Sequence, residues 1–266
     1  MLPAAENALN PVSPVSVAAP DADALRASLP DESSLRTSLL ALIASADRRG
    51  DRRLPAEREM MARLATTRIT LREALVQLEA EGRIYRENRR GWFVSPPRLR
   101  YDLLACLPFH DMVQSQQRRA QTRLLDAEEI AAPDEVARRL GLASGERLYR
   151  ITRARLVDER RVLYVEHHLR PDCFPGILAF DLARESLTDL YRRHYGLRVA
   201  RVSYALSTTV LPEAAARALN AVRGSPAQRI TRINHDQNGR AVDCDEEYWR
   251  HDAIDLTLTA APQGGG

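Results

Sequence analysis

"TTRITLREALVQLEAEG", Thr66 to Gly82, carries apolar residues at Leu71, Ala74, Leu75 and Leu78. That i, i+3, i+4, i+7 spacing predicts an amphipathic helix with one face packed on its neighbours. Thr67 is placed to cap its start, with Thr70 and Glu73 as an alternative capping box one turn later. From either start, Arg68, Thr70 and Arg72 stand at the leading end. Two guanidinium groups there suit guanine, whose O6 and N7 accept two hydrogen bonds from one arginine fork. A solvated helix end would carry the same residues, so the neighbouring segments have to decide.

Upstream, Leu35, Leu39, Leu42 and Ile43 recur at helical spacing and predict a first helix from Ser34 to about Ala46. The charged run "DRRGDRR" interrupts it. "LPAEREMMARLA" then predicts a short Pro-opened helix with Met60, Met61 and Leu64 turned inward. Downstream, "GRIYRENRRGWFVSPP" predicts two short strands around a polar turn, closed by Pro96 and Pro97. A short helix, a tight turn, a second amphipathic helix and a two-stranded ribbon in succession describe a winged helix-turn-helix.

Charge agrees with that reading. The whole chain of 266 residues is only +3, and all of its 39 basic residues are arginine, which reads as genomic composition bias. Between Asp31 and Arg98, however, fourteen arginines face ten acids, so the excess sits in this segment. Cys106, Cys173 and Cys244 lie far apart without CxxC spacing, which points to reduced thiols in a cytoplasm rather than a disulfide frame or zinc site. No secretory signal and no apolar run of membrane-spanning length is read.

The stretch "LPAEREMMARLATTRITLREALVQLEAEGRIYRENRRGWFV", Leu54 to Val94, resembles the GntR family of bacterial transcription factors almost without a break. The resemblance implies that Arg58 contacts the phosphate backbone and that Thr67, Arg68, Thr70 and Arg72 lie at the major groove. It also implies that a wing of Arg89, Arg90 and Gly91 reaches the minor groove. The family usually has a glycine two places before Gly91, where this chain has Arg89. That departure leaves the wing geometry open.

Behind the wing, residues 1–30 aside as an expected disordered leader, the pattern is mixed. Probable strands are "RLYRITRARLVD", "RRVLYVEHHLR", "RVARVSYALSTTV", "QRITRINHDQ" and "RAVDCDEEYW". Between them lie helix candidates "APDEVARRLG", "SLTDLYRRHYG" and "PEAAARALN". Strands joined by short turns with isolated helices predict an α+β fold on an antiparallel sheet. The order of elements from "LLDAEEIAAPDEVARRLG" onward is similar to the UTRA domain of the HutC subfamily, whose fold is like that of chorismate lyase. The expected organisation is a DNA-binding part at 31–97, a linker at 98–105, an effector part at 106–261 and a tail at 262–266.

Arg153 and Arg155 are two apart on a strand and share a face, which suits a phosphate or carboxylate. An exposed, salt-bridged sheet face would show the same spacing. The resemblance implies that this R-x-R strand lines an effector pocket, that Glu166 on the next strand joins it, and that Phe109 begins a helix beside it. Pro108 replaces the family's serine and removes a hydroxyl. Where the family has Glu-Tyr-x-x-Ser-x-Tyr, "DCDEEYW" puts Asp243 at the glutamate, Glu247 at the serine and Trp249 at the last tyrosine. The added carboxylate beside arginines favours a small zwitterion over a sugar. "EYWRHDAI" resembles phosphonate-utilisation regulators, so a phosphonate such as 2-aminoethylphosphonate is one expectation.

The expected function is a ligand-released repressor, binding an inverted-repeat operator as a homodimer, with no catalytic residues, cofactor, metal or membrane. The alternatives are an activator, a lyase-like enzyme, or an interaction module without DNA binding. Against an enzyme, the sequence has no nucleophile elbow, HExxH, P-loop or dinucleotide glycine fingerprint. His167 and His168 are strand neighbours that point to opposite faces, so they cannot share a metal.

Overall fold

The structure, a computed structural model, describes residues 32–50 and 52–259. The expected leader and tail lie outside them. The first helix, α1 (Glu32–Arg48), is followed by α2 (Glu57–Leu64) and α3 (Arg68–Ala80) and by the hairpin β1 (Ile84–Glu87) and β2 (Gly91–Val94). Leu71, Leu75 and Leu78 of α3 are fully buried against Leu35, Leu39, Met60 and Trp92, while Ala74 is half-buried at the edge. The helical spacing of the opening stretch thus forms the centre of a small core. Thr67 is the cap: its Oγ1 accepts from the Thr70 N–H at 3.2 Å. Thr70 lies inside the helix, so the alternative capping box does not form.

Residues 98–105, read as a linker, hold a strand instead. β3 (Leu99–Asp102) pairs in parallel with β10 (Ile254–Thr257), and Leu99, Tyr101 and Leu103 are buried. The alternation of apolar and polar side chains over these residues is the signal for a half-buried strand.

The remaining elements are α4 (Phe109–Gln114), β4 (Ala120–Ala131), α5 (Asp134–Leu140), β5 (Arg147–Val157), β6 (Arg160–Leu169), α6 (Leu187–Tyr195), β7 (Arg201–Val210), α7 (Glu213–Ala218), β8 (Pro226–His235) and β9 (Ala241–Arg250). Their strands make one antiparallel six-stranded sheet in the order β4-β5-β6-β9-β8-β7. Strand β4 was not anticipated; it is an edge strand with mostly exposed side chains, so it lacks the apolar alternation that marks a strand. Helices α4 and α6 cover one face of the sheet at the centre, where β6 and β9 are adjacent. Among the described residues no helix is long and apolar enough to cross a membrane.

Candidate DNA-binding and effector sites

The leading end of α3 is exposed. The side chains of Arg58 and Arg68 are solvent-facing and pair with nothing among the described residues. Arg72 differs: its Nε donates to Glu57 at 3.0 Å, and Glu57 also accepts from the Trp92 indole N–H at 3.2 Å. Burial pushes the Glu57 carboxyl up, but these two hydrogen bonds pull it below its ordinary value. The chain Trp92–Glu57–Arg72 links wing, α2 and α3, and fixes the position of the arginine while its terminal nitrogens have no partner among the described residues. Thr70 is half-buried, with its hydroxyl 2.9 Å from that of Thr67.

In the wing, Arg89 takes φ +61° and Gly91 φ +97°. Arg89 therefore adopts the left-handed conformation for which the family's glycine is suited, at a cost of about 1 kcal/mol. Arg89 and Arg90 are both exposed. Arg90 pairs with Glu87 at 2.5 Å and lies over Phe93.

The second site is a cavity between the sheet and helices α4 and α6, and Phe109, Arg155, Asp243, Glu247 and Trp249 are among the residues that line it. Its volume is about 60 Å³, against the roughly 10–15 Å³ that one water needs. Strand pairing dictates its wall. Leu163, Val165 and His167 of β6 face the cavity, opposite Trp249, Glu247 and Asp245 of β9. Glu166, between them, points to the other face, where it accepts from the Tyr164 hydroxyl at 2.5 Å. The expectation that Glu166 lines the pocket is therefore corrected: side chains alternate, and the arginines on β5 select the odd-numbered face of β6.

Arg155 lines the cavity, its Nη1 donating to Thr122 at 2.5 Å and its guanidinium 5.2 Å from the Phe109 ring centre. Arg153 shares its face but is fully buried behind the wall, and its three side-chain nitrogens have no partner among the described residues. Burial lowers both guanidiniums, Arg153 to about 10 and Arg155 to about 9.

Among the wall residues that were missed are Asp245, His167, Tyr191 and Arg232, which carry its hydrogen-bond network. Asp245 is fully buried, accepts from His167 Nδ1 at 2.6 Å and from Arg232 Nε at 2.9 Å, and is held well below the carboxylate range by these partners against its burial. Period two from Asp243 to Glu247 would have found it. Burial drops His167 to about 4 despite Asp245. The ring is thus neutral at neutral pH, carries its proton on Nδ1 toward the carboxylate, and leaves Nε2 as a buried acceptor without a partner among the described residues. Tyr191 of α6 donates to Asp243 at 2.6 Å, as does Asn234 Nδ2. Nothing in the sequence places Tyr191 or Arg232 here without the register of β8 on β9. Burial and the neighbouring Asp245 push Asp243 up to about 7. Glu247, also raised by burial, accepts from the Trp249 indole at 2.7 Å.

The two sites meet at the end of β9. Immediately after the cavity residues come Arg250, His251 and Asp252. Asp252 is fully buried and accepts from Arg160 at 2.5 Å and from Ser95, just after the wing, at 2.8 Å. The guanidiniums of Arg160 and Arg250 lie 3.7 and 5.0 Å from the ring centre of Tyr85 in β1. His251 Nε2 is 2.8 Å from the Glu79 carbonyl in the last turn of α3.

Comparison with known proteins agrees with this architecture. Residues 28–94 match the model of bacterial regulatory proteins of the gntR family, and residues 115–255 match the UTRA domain. The chain is 30% identical over 207 residues to the HTH-type transcriptional regulator YihL of Escherichia coli, covering 77% of this chain and 87% of that protein. It is 29% identical over 202 residues to the HTH-type transcriptional repressor NagR of Bacillus subtilis, covering 76% and 83%. The crystal structure of PhnF from Mycobacterium smegmatis has the same fold, with a TM-score of 0.60 at 24% identity, over 84% of this chain and 100% of that one. The chain belongs to the GntR family of bacterial transcriptional regulators, with a UTRA domain behind its winged helix-turn-helix.

Proposed function

We propose that the protein is a cytoplasmic, homodimeric repressor, released from a two-fold symmetric operator by a small zwitterionic metabolite. The observation that carries the ligand class is one cavity with Arg155 on one wall and Glu247 and Asp243 on another. Arg232 is neutralised by Asp245, so Arg155, backed by buried Arg153, is the cation left for an anionic end. Glu247 and Asp243 suit an ammonium, and the bare His167 Nε2 suits a further donor. The small cavity favours a compact molecule, and 2-aminoethylphosphonate has both ends. Repression accords with relatives named as repressors, NagR among them. A dimer follows from the few base pairs that one recognition helix reads: useful affinity needs two half-sites related by protein symmetry.

Strand β9 supplies the coupling. Its middle forms the cavity wall and its end grips the wing and the last turn of α3. A ligand that shifts the strand by favouring one arrangement of Arg250–Asp252 must weaken DNA binding by the same factor by which DNA weakens ligand binding.

The test is a thermal-shift screen of the full chain with 2-aminoethylphosphonate, other phosphonates, phosphosugars and amino acids, on wild type and Arg155→Ala. The stabilising compound should lose its effect on the variant and should release DNA only from wild type. Equal stabilisation of both proteins would rule out the arginine pocket.

A further inference from the structure

The solvent side of α3 is centred on a residue that chemistry-based reading passes over. At about 100° per residue, the buried Leu71, Leu75 and Leu78 define the inner face. The opposite direction is occupied by Ile69, 72% exposed, with Val76 two turns further along the same stripe. Arg68 and Thr70 lie toward the two flanks. Thr70 is also half-buried, its hydroxyl engaged by Thr67. A single exposed isoleucine elsewhere on a protein surface needs no explanation. This one sits in the first turn of a recognition helix, whose N-terminal residues approach base edges, with the unpartnered Arg68 and the Glu57-anchored Arg72 together on one flank of it. The major groove offers one apolar group to such a side chain, the C5-methyl of thymine.

We propose that Ile69 is a specificity-determining residue that packs on one thymine methyl in each operator half-site, while Arg68 and Arg72, one turn apart on one flank of it, supply the polar contacts beside it. Val76, about 10 Å up the helix axis, is too far from the first turn to reach the same base pair. The reading extends DNA recognition from arginine-to-guanine contacts to an apolar one, and it requires a thymine at a fixed place in each half-site.

The experiment uses the full chain and a duplex enriched from a random library by the wild-type protein. Each thymine is then replaced in turn by uracil, which removes only the methyl group. Wild type should lose about fourfold in affinity at one position per half-site, the worth of one buried methyl, and about fifteenfold when both are replaced. Ile69→Ala should bind thymine and uracil duplexes equally, and Val76→Ala should discriminate as wild type does. Alanine at these exposed positions favours the helix, so both variants fold. Wild type indifferent to every uracil, or Ile69→Ala keeping the same discrimination, would overturn the assignment while leaving DNA binding intact. Failure to enrich any duplex would overturn it together with the operator reading.

Discussion

Replacing Asp252 by asparagine tests the joint between the two sites. The carboxylate is fully buried between Arg160, Arg250 and Ser95, and the two arginines it balances press on Tyr85 of the wing hairpin. Burial raises its pKa, but Arg160 and Arg250 outweigh that and hold it at about 2, from an ordinary 3.8. A depression of that size corresponds to roughly 2–3 kcal/mol. The folded-state pKa is the lower one, so this stability is fully present above pH 4 and is lost as pH falls through 2. Asparagine keeps the shape and removes the charge, leaving two buried arginines without their counter-ion. The expected loss is at least about 2 kcal/mol, rising toward about 3–5 kcal/mol, the cost of leaving a buried charge without its partner. The two tryptophans make the loss visible, because Trp92 lies in the core of the helix-turn-helix and Trp249 in the effector cavity. Urea unfolding should be followed by fluorescence of Trp92 in a Trp249→Phe background and of Trp249 in a Trp92→Phe background. At about 1–3 kcal/mol per molar urea, Asp252→Asn should move the Trp92 midpoint down by about 1 M or more at pH 7. The gap should close as pH is lowered from 4 toward 2. A midpoint within about 0.2 M of the reference at pH 7 would show that the buried carboxylate does not hold the wing to the sheet.

Arg72→Ala should cost roughly 1–3 kcal/mol of operator binding and relax discrimination at one base position. Arg58→Ala should weaken all duplexes alike and lower the salt dependence by about one ion, both read from binding titrations across salt. Glu57→Gln, which loosens the Arg72 anchor, should lower operator affinity without touching ligand binding; unchanged affinity would mean that the Trp92–Glu57–Arg72 chain does not aim the arginine. Asp243, held up to about 7, must ionise to pair with an ammonium, so binding of a zwitterion should release a proton and strengthen as pH rises from 6 to 8. Calorimetry in buffers of different ionisation enthalpy measures that release, which Asp243→Asn should abolish. Sedimentation should find a dimer at micromolar concentration, and a monomer with and without operator would contradict the two-fold reading.

Much of the helix-turn-helix was legible because its signals are local. The spacing of Leu71, Leu75 and Leu78, the cap at Thr67 and the turn before Gly91 each depend on a few consecutive residues and on helix or turn geometry. The five strands from β5 to β9 apart from their ends were readable for the same reason, since they alternate or are uniformly apolar. β4 was not, because an exposed edge strand buries too little to leave a pattern, and β3 was taken for a linker because four residues after two prolines give little length to judge.

The sequence by itself determined which side chains carry chemistry: arginines at a helix tip, R-x-R on a strand, and the acids Asp243 and Glu247 near the C-terminal end. Only tertiary structure decided which of them meet. Glu166 left the pocket and His167, Asp245, Arg232 and Tyr191 entered it, because register and the pleat set which face each residue takes and which helix covers it. The same distinction places Arg250, His251 and Asp252 against the wing and the last turn of α3. Partners that lie 157 and 172 positions apart, as Ser95 with Asp252 and Glu79 with His251, have no local signature. Hydrogen bonds and charge pairs act over a few ångströms, and it is the packing of the sheet, not the order of the chain, that brings such residues within that range.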